Sequence, residues 1–117
     1  MKRVLVVDDE PAIRALIAAS LDDAECEVAA VADGAGALAS MSGSLPDLIL
    51  LDVGLPGLSG DEVLSRLRAD RATAGIPVVL LTGLEPPEGV YPDGVLRKPF
   101  TPALLREAVA TFLHRPT

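Results

Sequence analysis

The chain is expected to fold as one α/β domain built on a parallel sheet with helices on both faces. Three observations predict this. Short runs such as VLVV and LILL are apolar at every position, as strands buried on both faces are. Segments with apolar residues at helical spacing alternate with these runs. The 117 residues suit a single core, with no internal repeat and no low-complexity tract.

Residues 3–7 (RVLVV) form the first strand. Asp8-Asp9-Glu10-Pro11 then opens a helix, since proline suits the first helical position and acids favour that end. Ile13, Leu16, Ile17, Leu21 and Ala24 continue it. Residues 25–31 read as the second strand. Asp33 caps a short Ala/Gly-rich helix to about Met41, weakened by Gly34 and Gly36. Residues 42–46 are a loop. Residues 47–51 form the third strand, ending at Asp52, and VGLPGLS is a Gly/Pro turn. A third helix runs from Gly60 to about Asp70 with Val63, Leu64 and Leu67 inward, and residues 76–81 form the fourth strand. Val95 and Leu96 make a short fifth strand. Thr101-Pro102 starts a last helix, whose apolar face carries Leu104, Leu105, Ala108, Val109, Phe112 and Leu113.

One segment resists the alternation. GLEPPEGVYPDG, residues 83–94, lies where a helix should join two parallel strands. Pro86, Pro87 and Pro92 lack amide donors and clash with interior helix turns. A crossover with its helix needs at least about 10–12 residues. At most one helical turn is expected here, the rest extended.

Composition excludes several functions. A net charge of −7 and a pI of about 4.5 oppose direct nucleic-acid binding. With only Tyr91, Phe100 and Phe112 aromatic, no base-stacking platform exists. Mean hydropathy is high at +0.40, yet no apolar stretch nears the roughly 20 residues of a membrane span. Only Val4 to Val7 separate Arg3 from Asp8, too short for a signal-peptide core. A cytoplasmic location without membrane insertion is therefore expected. The lone Cys26 rules out an internal disulfide and a multi-cysteine metal site.

In an open parallel sheet, ligands bind beyond the carboxyl ends of the strands. Asp8, Asp9, Asp52, Thr82 and Lys98 stand at those ends. Singly, each has a plain structural reading: Asp9 as helix cap, Asp52 as turn initiator, Thr82 as strand-end partner, Lys98 as surface charge. Together they point to one site. Three clustered carboxylates repel, and one lysine does not neutralise them. A hard divalent ion with oxygen ligands, Mg²⁺, resolves the excess charge. Mg²⁺, Lys and Thr suit a phosphoryl group, and a carboxylate can attack phosphorus. Asp52, alone on its strand, is the candidate nucleophile; the Asp8–Asp9 pair suits the metal.

These residues resemble the receiver domain of response regulators in bacterial two-component signalling. VLVVDDEP resembles the family's first strand and acidic pair, and DLILLDVGLPGLSG its phosphoacceptor strand and loop. VVLLTG carries the hydroxyl position and LRKPF the lysine–proline signature. The resemblance implies a flavodoxin-like doubly wound sheet of five parallel strands in the order 2-1-3-4-5. It implies that Asp52 accepts phosphate from a histidine kinase or histidine phosphotransfer protein. Asp9 would bind Mg²⁺ directly, Asp8 largely through water, and Asp52 and the Gly54 carbonyl would complete the protein's ligands. Thr82 and Lys98 would hold the phosphoryl group. The Lys98–Pro99 bond resembles one that is usually cis. The chemistry would be limited to the domain's own phosphorylation and dephosphorylation. Residues 1–117 read as a single, stand-alone receiver without an effector domain, acting on an unknown downstream protein.

Two features depart from the family. The aromatic residue usual three positions before the lysine is Val95 here, and Tyr91 is too distant to be taken as its substitute. The family's fourth helix is shortened or lost in residues 83–94, which alters a face used for dimerisation or output. Gly54 and Leu84 correspond to positions that influence dephosphorylation in the family. Competing readings are a receiver-like module that no longer switches, a haloacid-dehalogenase-like phosphatase and, weakest, an FMN carrier. The phosphatase family places its nucleophile in an Asp-x-Asp motif after the first strand, and this chain has Asp8-Asp9.

Overall fold

The computed structural model describes residues 1–22, 26–83, 85–86 and 88–113. Ala24, the first residue of the expected second strand (Glu25) and Leu84 lie outside them. The elements follow in the order β1 (Lys2–Val7), α1 (Pro11–Ser20), β2 (Cys26–Val31), α2 (Gly34–Ser40), β3 (Leu48–Asp52), α3 (Gly60–Ala69), β4 (Val78–Thr82), β5 (Gly94–Arg97) and α4 (Pro102–Leu113). All five strands are parallel, in the order β2-β1-β3-β4-β5. The α/β class and strand order are those expected.

The strands separate two cores, because alternate side chains leave opposite faces. Val4, Val6, Leu48, Leu50, Val79, Leu81 and Leu96 face α1 and α4, meeting Ile17, Leu21, Leu105 and Val109. Leu5, Val7, Ile49, Leu51, Val78 and Leu80 face α2 and α3, meeting Ala37, Val63, Leu64 and Leu67. β3 is the middle strand, and Leu48 to Leu51 are entirely buried. Each such side chain contributes roughly 1.5–3 kcal/mol of apolar burial. That burial anchors the strand that carries Asp52.

The helix starts follow local chemistry. Pro11 opens α1 after Glu10. The Asp33 carboxylate accepts the Gly36 amide at 2.6 Å, Ser59 Oγ accepts the Glu62 amide at 3.4 Å, and Thr101 Oγ1 accepts the Leu104 amide at 3.1 Å. Gly60 has a stricter reason. A Cβ there would lie 2.3 Å from the Asp52 carbonyl oxygen and 2.7 Å from Val53 Cα. Backbone cannot yield as a side chain can, so only glycine lets α3 start against the end of β3.

Several boundaries differ from expectation. β4 begins at Val78 rather than Ile76 and takes in Thr82, which pairs with Arg97. β5 extends over four residues because β4 offers partners for Gly94 and Arg97 as well. Leu104 was expected inward but is 51% exposed. The i, i+4 row Leu105–Val109–Leu113 faces the sheet, and Leu104 falls outside it.

No helix is present among the described residues between Thr82 and Gly94. Glu88 and Gly89 make a turn, with Gly89 at φ +79°. Val90 packs on the α3-side core. Both ends of the crossover are tied down. Near the site, Glu85 forms an ion pair with Arg97. At the other end the Arg68 guanidinium donates to the Asp93 carboxylate at 2.5 Å and to the carbonyls of Ala74 and Ile76. The same Asp93 oxygen accepts the Val78 amide at 2.8 Å, and the Asp93 amide donates to the Val78 carbonyl at 2.9 Å. This clamp sets where β5 starts along β4. It substitutes polar contacts for the packing of a crossover helix. Arg68→Ala is expected to cost about 1–3 kcal/mol in urea unfolding, since it strips hydrogen bonds from half-buried acceptors. Exposed Arg71→Ala should stay within about 0.5 kcal/mol of the parent. Equal effects of the two changes would contradict the clamp.

Candidate functional site

β1, β3, β4 and β5 are consecutive neighbours, so their carboxyl ends form one edge. Asp8 and Asp9 follow β1, Asp52 ends β3, Thr82 ends β4 and Lys98 follows β5. The Lys98 amide donates to the Thr82 carbonyl at 2.9 Å, which continues the ladder one residue past β5. The Lys98–Pro99 peptide is cis.

The fold brings the charged groups together. One carboxylate oxygen each from Asp8, Asp9 and Asp52 lie within 4.8 Å of one another. Lys98 Nζ lies 2.9 Å from Asp8 Oδ2 and 3.4 Å from Asp52 Oδ1. Asp8 is fully buried, Asp52 and Thr82 are nearly so, and Asp9 is exposed. Asp9 does not cap α1, whose cap residue is Glu10; its carboxylate lies with the cluster instead.

Asp8 is held on every side. Its amide donates to the Val31 carbonyl, and its Oδ1 accepts the Glu10 amide at 2.9 Å. Its carbonyl accepts Arg14 Nη1 at 2.8 Å. This last contact is absent from the sequence reading. Its only sequence signal is a basic residue in the first turns of a helix that begins beside an acidic pair.

Asp52 is held on one side. Its Oδ1 accepts the Gly54 amide at 3.2 Å and faces Lys98. No hydrogen bond or ion pair among the described residues reaches its Oδ2. Gly54 is exposed, and a Cβ there would come no closer than 4.0 Å to Asp52 Oδ1.

The electrostatics follow from this crowding. Burial first, and then the Asp8 charge, push the Asp52 carboxyl above its usual range; the Gly54 amide and Lys98 offset only part of this. Burial alone would lower Lys98. Its hydrogen bond to Asp8 and the charges of Asp52 and Asp8 outweigh that, so the ammonium sits above the ordinary lysine value. Three carboxylates against one ammonium leave excess negative charge. The oxygen donors are the hard type that Mg²⁺ prefers, so the donor set fits such an ion.

Val95 and Tyr91 lie apart from this cluster in role. Val95 is 42% exposed on β5, and Tyr91 is 82% exposed on the crossover.

Known proteins share both sequence and fold with this chain. Residues 4–110 match the family profile described as the response regulator receiver domain. The DNA-binding response regulator MtrA of Mycolicibacterium smegmatis is 36% identical over 97% of this chain and 51% of its own length. The phosphate regulon transcriptional regulatory protein PhoB of Pseudomonas aeruginosa is 41% identical over 97% of this chain and 52% of its own length. The chain thus spans about half the length of these curated relatives. Among solved structures, chemotaxis response regulator CheY4 of Vibrio cholerae superimposes with a TM-score of 0.89 at 34% identity, covering 97% of this chain and 99% of its own. The receiver domain of a Pseudomonas aeruginosa sensor histidine kinase, described with a magnesium ion coordinated in its active-site cleft, gives 0.87 at 28% identity over 97% and 98% of the two chains. Sequence, strand order and the acidic edge agree: this chain belongs to the receiver domain family of two-component response regulators.

Proposed function

We propose that Asp52 accepts a phosphoryl group from a histidine kinase or histidine phosphotransfer protein, and that the phosphorylated domain signals through contacts with another protein. The carrying observation is the asymmetry at Asp52. Gly54 and Lys98 occupy Oδ1, and Oδ2 is left with a lone pair to attack. In the transfer, the Oδ2–phosphorus bond forms and the phosphorus–nitrogen bond of the donor phosphohistidine breaks. The imidazole nitrogen keeps the bonding electron pair and takes a proton from solvent.

Asp8, Asp9, Asp52 and the Gly54 carbonyl would hold Mg²⁺. When bound, the ion neutralises carboxylate charge and stabilises the charge on the phosphoryl oxygens. Lys98 meets an added phosphoryl oxygen from its place between Asp8 and Asp52, and Thr82 offers its hydroxyl from the neighbouring strand. The domain turns over no external substrate beyond its phosphodonor. The cytoplasm, where such kinases present their phosphohistidine, is its expected location.

One observation favours a variant of this reading. Val95 is an exposed aliphatic residue on β5, and the adjoining crossover lacks a helix among its described residues. A Thr–aromatic switch has no ring to move at that position. The phosphoryl group is then felt through the Glu85–Arg97 pair and the crossover, or the module binds its partner without switching.

Two outcomes are expected. With Mg²⁺ and a small acyl phosphate donor, intact-protein mass spectrometry should show the addition of one phosphoryl group. Chelation and Asp52→Asn should each abolish it. The second concerns pH. A carboxyl whose folded-state pKa is raised weakens the fold when ionised; the penalty is full above the folded value and vanishes below the unfolded one. Metal-free Asp52→Asn should therefore melt higher than the parent at neutral pH, with the gain shrinking as pH falls through the raised value toward the usual 3.8. A neutral-pH melt of Asp52→Asn below that of the parent would contradict the charge crowding.

A further inference from the structure

We infer that Arg14 is a positioning residue for the metal site: it holds the peptide between Asp8 and Asp9 in the orientation that brings Asp9 to the carboxylate cluster. The inference rests on the proposed Mg²⁺ site.

The last β1–β3 register pair is Val7 with Leu51. The Asp8 amide still donates to the Val31 carbonyl, but among the described residues no backbone amide donates to the Asp8 carbonyl. Arg14 Nη1 does so instead, at 2.8 Å, from the second turn of α1. The Asp8 side chain needs no help from Arg14, because the Glu10 amide and Lys98 occupy its two oxygens. Asp9 differs. It is exposed, and no hydrogen bond among the described residues holds its carboxylate. Its direction is set by the main chain that carries it. A peptide is planar, so fixing the Asp8 carbonyl fixes the whole 8–9 plane and the point from which the Asp9 side chain leaves.

The geometry also separates two roles for positive charge. Lys98 sits between carboxylates and offsets their charge directly. Arg14 contacts the backbone and forms no ion pair with the cluster. Its effect is on where a carboxylate stands. A guanidinium presents rigid, planar donors suited to holding one carbonyl. Lysine can reach the same oxygen with a single flexible donor, and alanine cannot.

The test is Mg²⁺ affinity of the full chain, measured by calorimetry and by amide NMR shifts, beside thermal melts of the same proteins. Arg14→Ala is expected to weaken Mg²⁺ binding about tenfold, the lower end of the range for groups that orient metal ligands. Arg14→Lys should recover part of that loss. The Asp9 amide should shift in metal-free Arg14→Ala. A purely structural role would lower the melting temperature and leave Mg²⁺ affinity within twofold of the parent; that result overturns the inference. If Arg14→Ala does not fold, Arg14→Lys with unchanged affinity and an unmoved Asp9 amide overturns it equally. A parent chain that takes up no Mg²⁺ overturns the metal site and the role of Arg14 with it. Parent binding with unaffected Arg14 variants overturns the role of Arg14 alone.

Discussion

The Lys98 ammonium between Asp8 and Asp52 is the interaction on which the site depends. Two unit charges 4 Å apart attract by about 4 kcal/mol at an effective dielectric of roughly 20. Lys98 Nζ sits 2.9 Å from fully buried Asp8, and removing one partner of such a buried pair is costly. Lys98 satisfies one carboxylate closely and a second less so, and leaves the third in solvent. The site is short of positive charge by construction. The oxygen donors and excess negative charge suit a divalent cation, while burial and then the Asp8 charge raise Asp52 above the usual carboxylate range. The structure sustains the arrangement through apolar packing and a backbone hydrogen bond. β3 is anchored by four buried aliphatic residues, and Lys98 by a ladder bond to Thr82.

Much of this was legible from residue order. Short runs apolar at every position suit strands covered on both sides, and VLVV, LILL and VVLL fell in β1, β3 and β4. Polar residues placed right after such runs had to collect on one sheet edge, and Asp8, Asp9, Asp52 and Lys98 did so. What was not legible depends on partners distant in the chain. β5 is two residues longer than its apolar pair suggests, because ladder bonds come from β4. Leu104 looked like core by hydropathy, yet one step around the helix put it in solvent. Nothing in the sequence singled out Arg14 or Arg68, and each ends on backbone carbonyls that only the fold brings near.

The crossover shows how one part of a fold can be rebuilt while its ends stay in place. A proline-rich segment cannot supply the amide ladder of a helix, and no helix forms in its described residues. Arg68 and Asp93 fix where β5 begins, and so where Lys98 falls. Val90 fills part of the core that a helix would cover, and Val95 is left half-exposed. The acidic edge and the neighbouring face are therefore built by separate parts of the chain. The acidic edge has the residues that the family resemblance calls for, and the neighbouring face is this chain's own.

The most direct test is the amide NMR spectrum of the full chain, recorded without metal, with Mg²⁺, and with Mg²⁺ plus beryllofluoride as a phosphoryl mimic. Saturable shifts at Asp9 and Gly54 with Mg²⁺, followed by new shifts at Asp52, Thr82 and Lys98 with the mimic, are the expected result. A spectrum that neither addition changes would contradict the claim that this charge-deficient pocket is built to take a cation and a phosphoryl group.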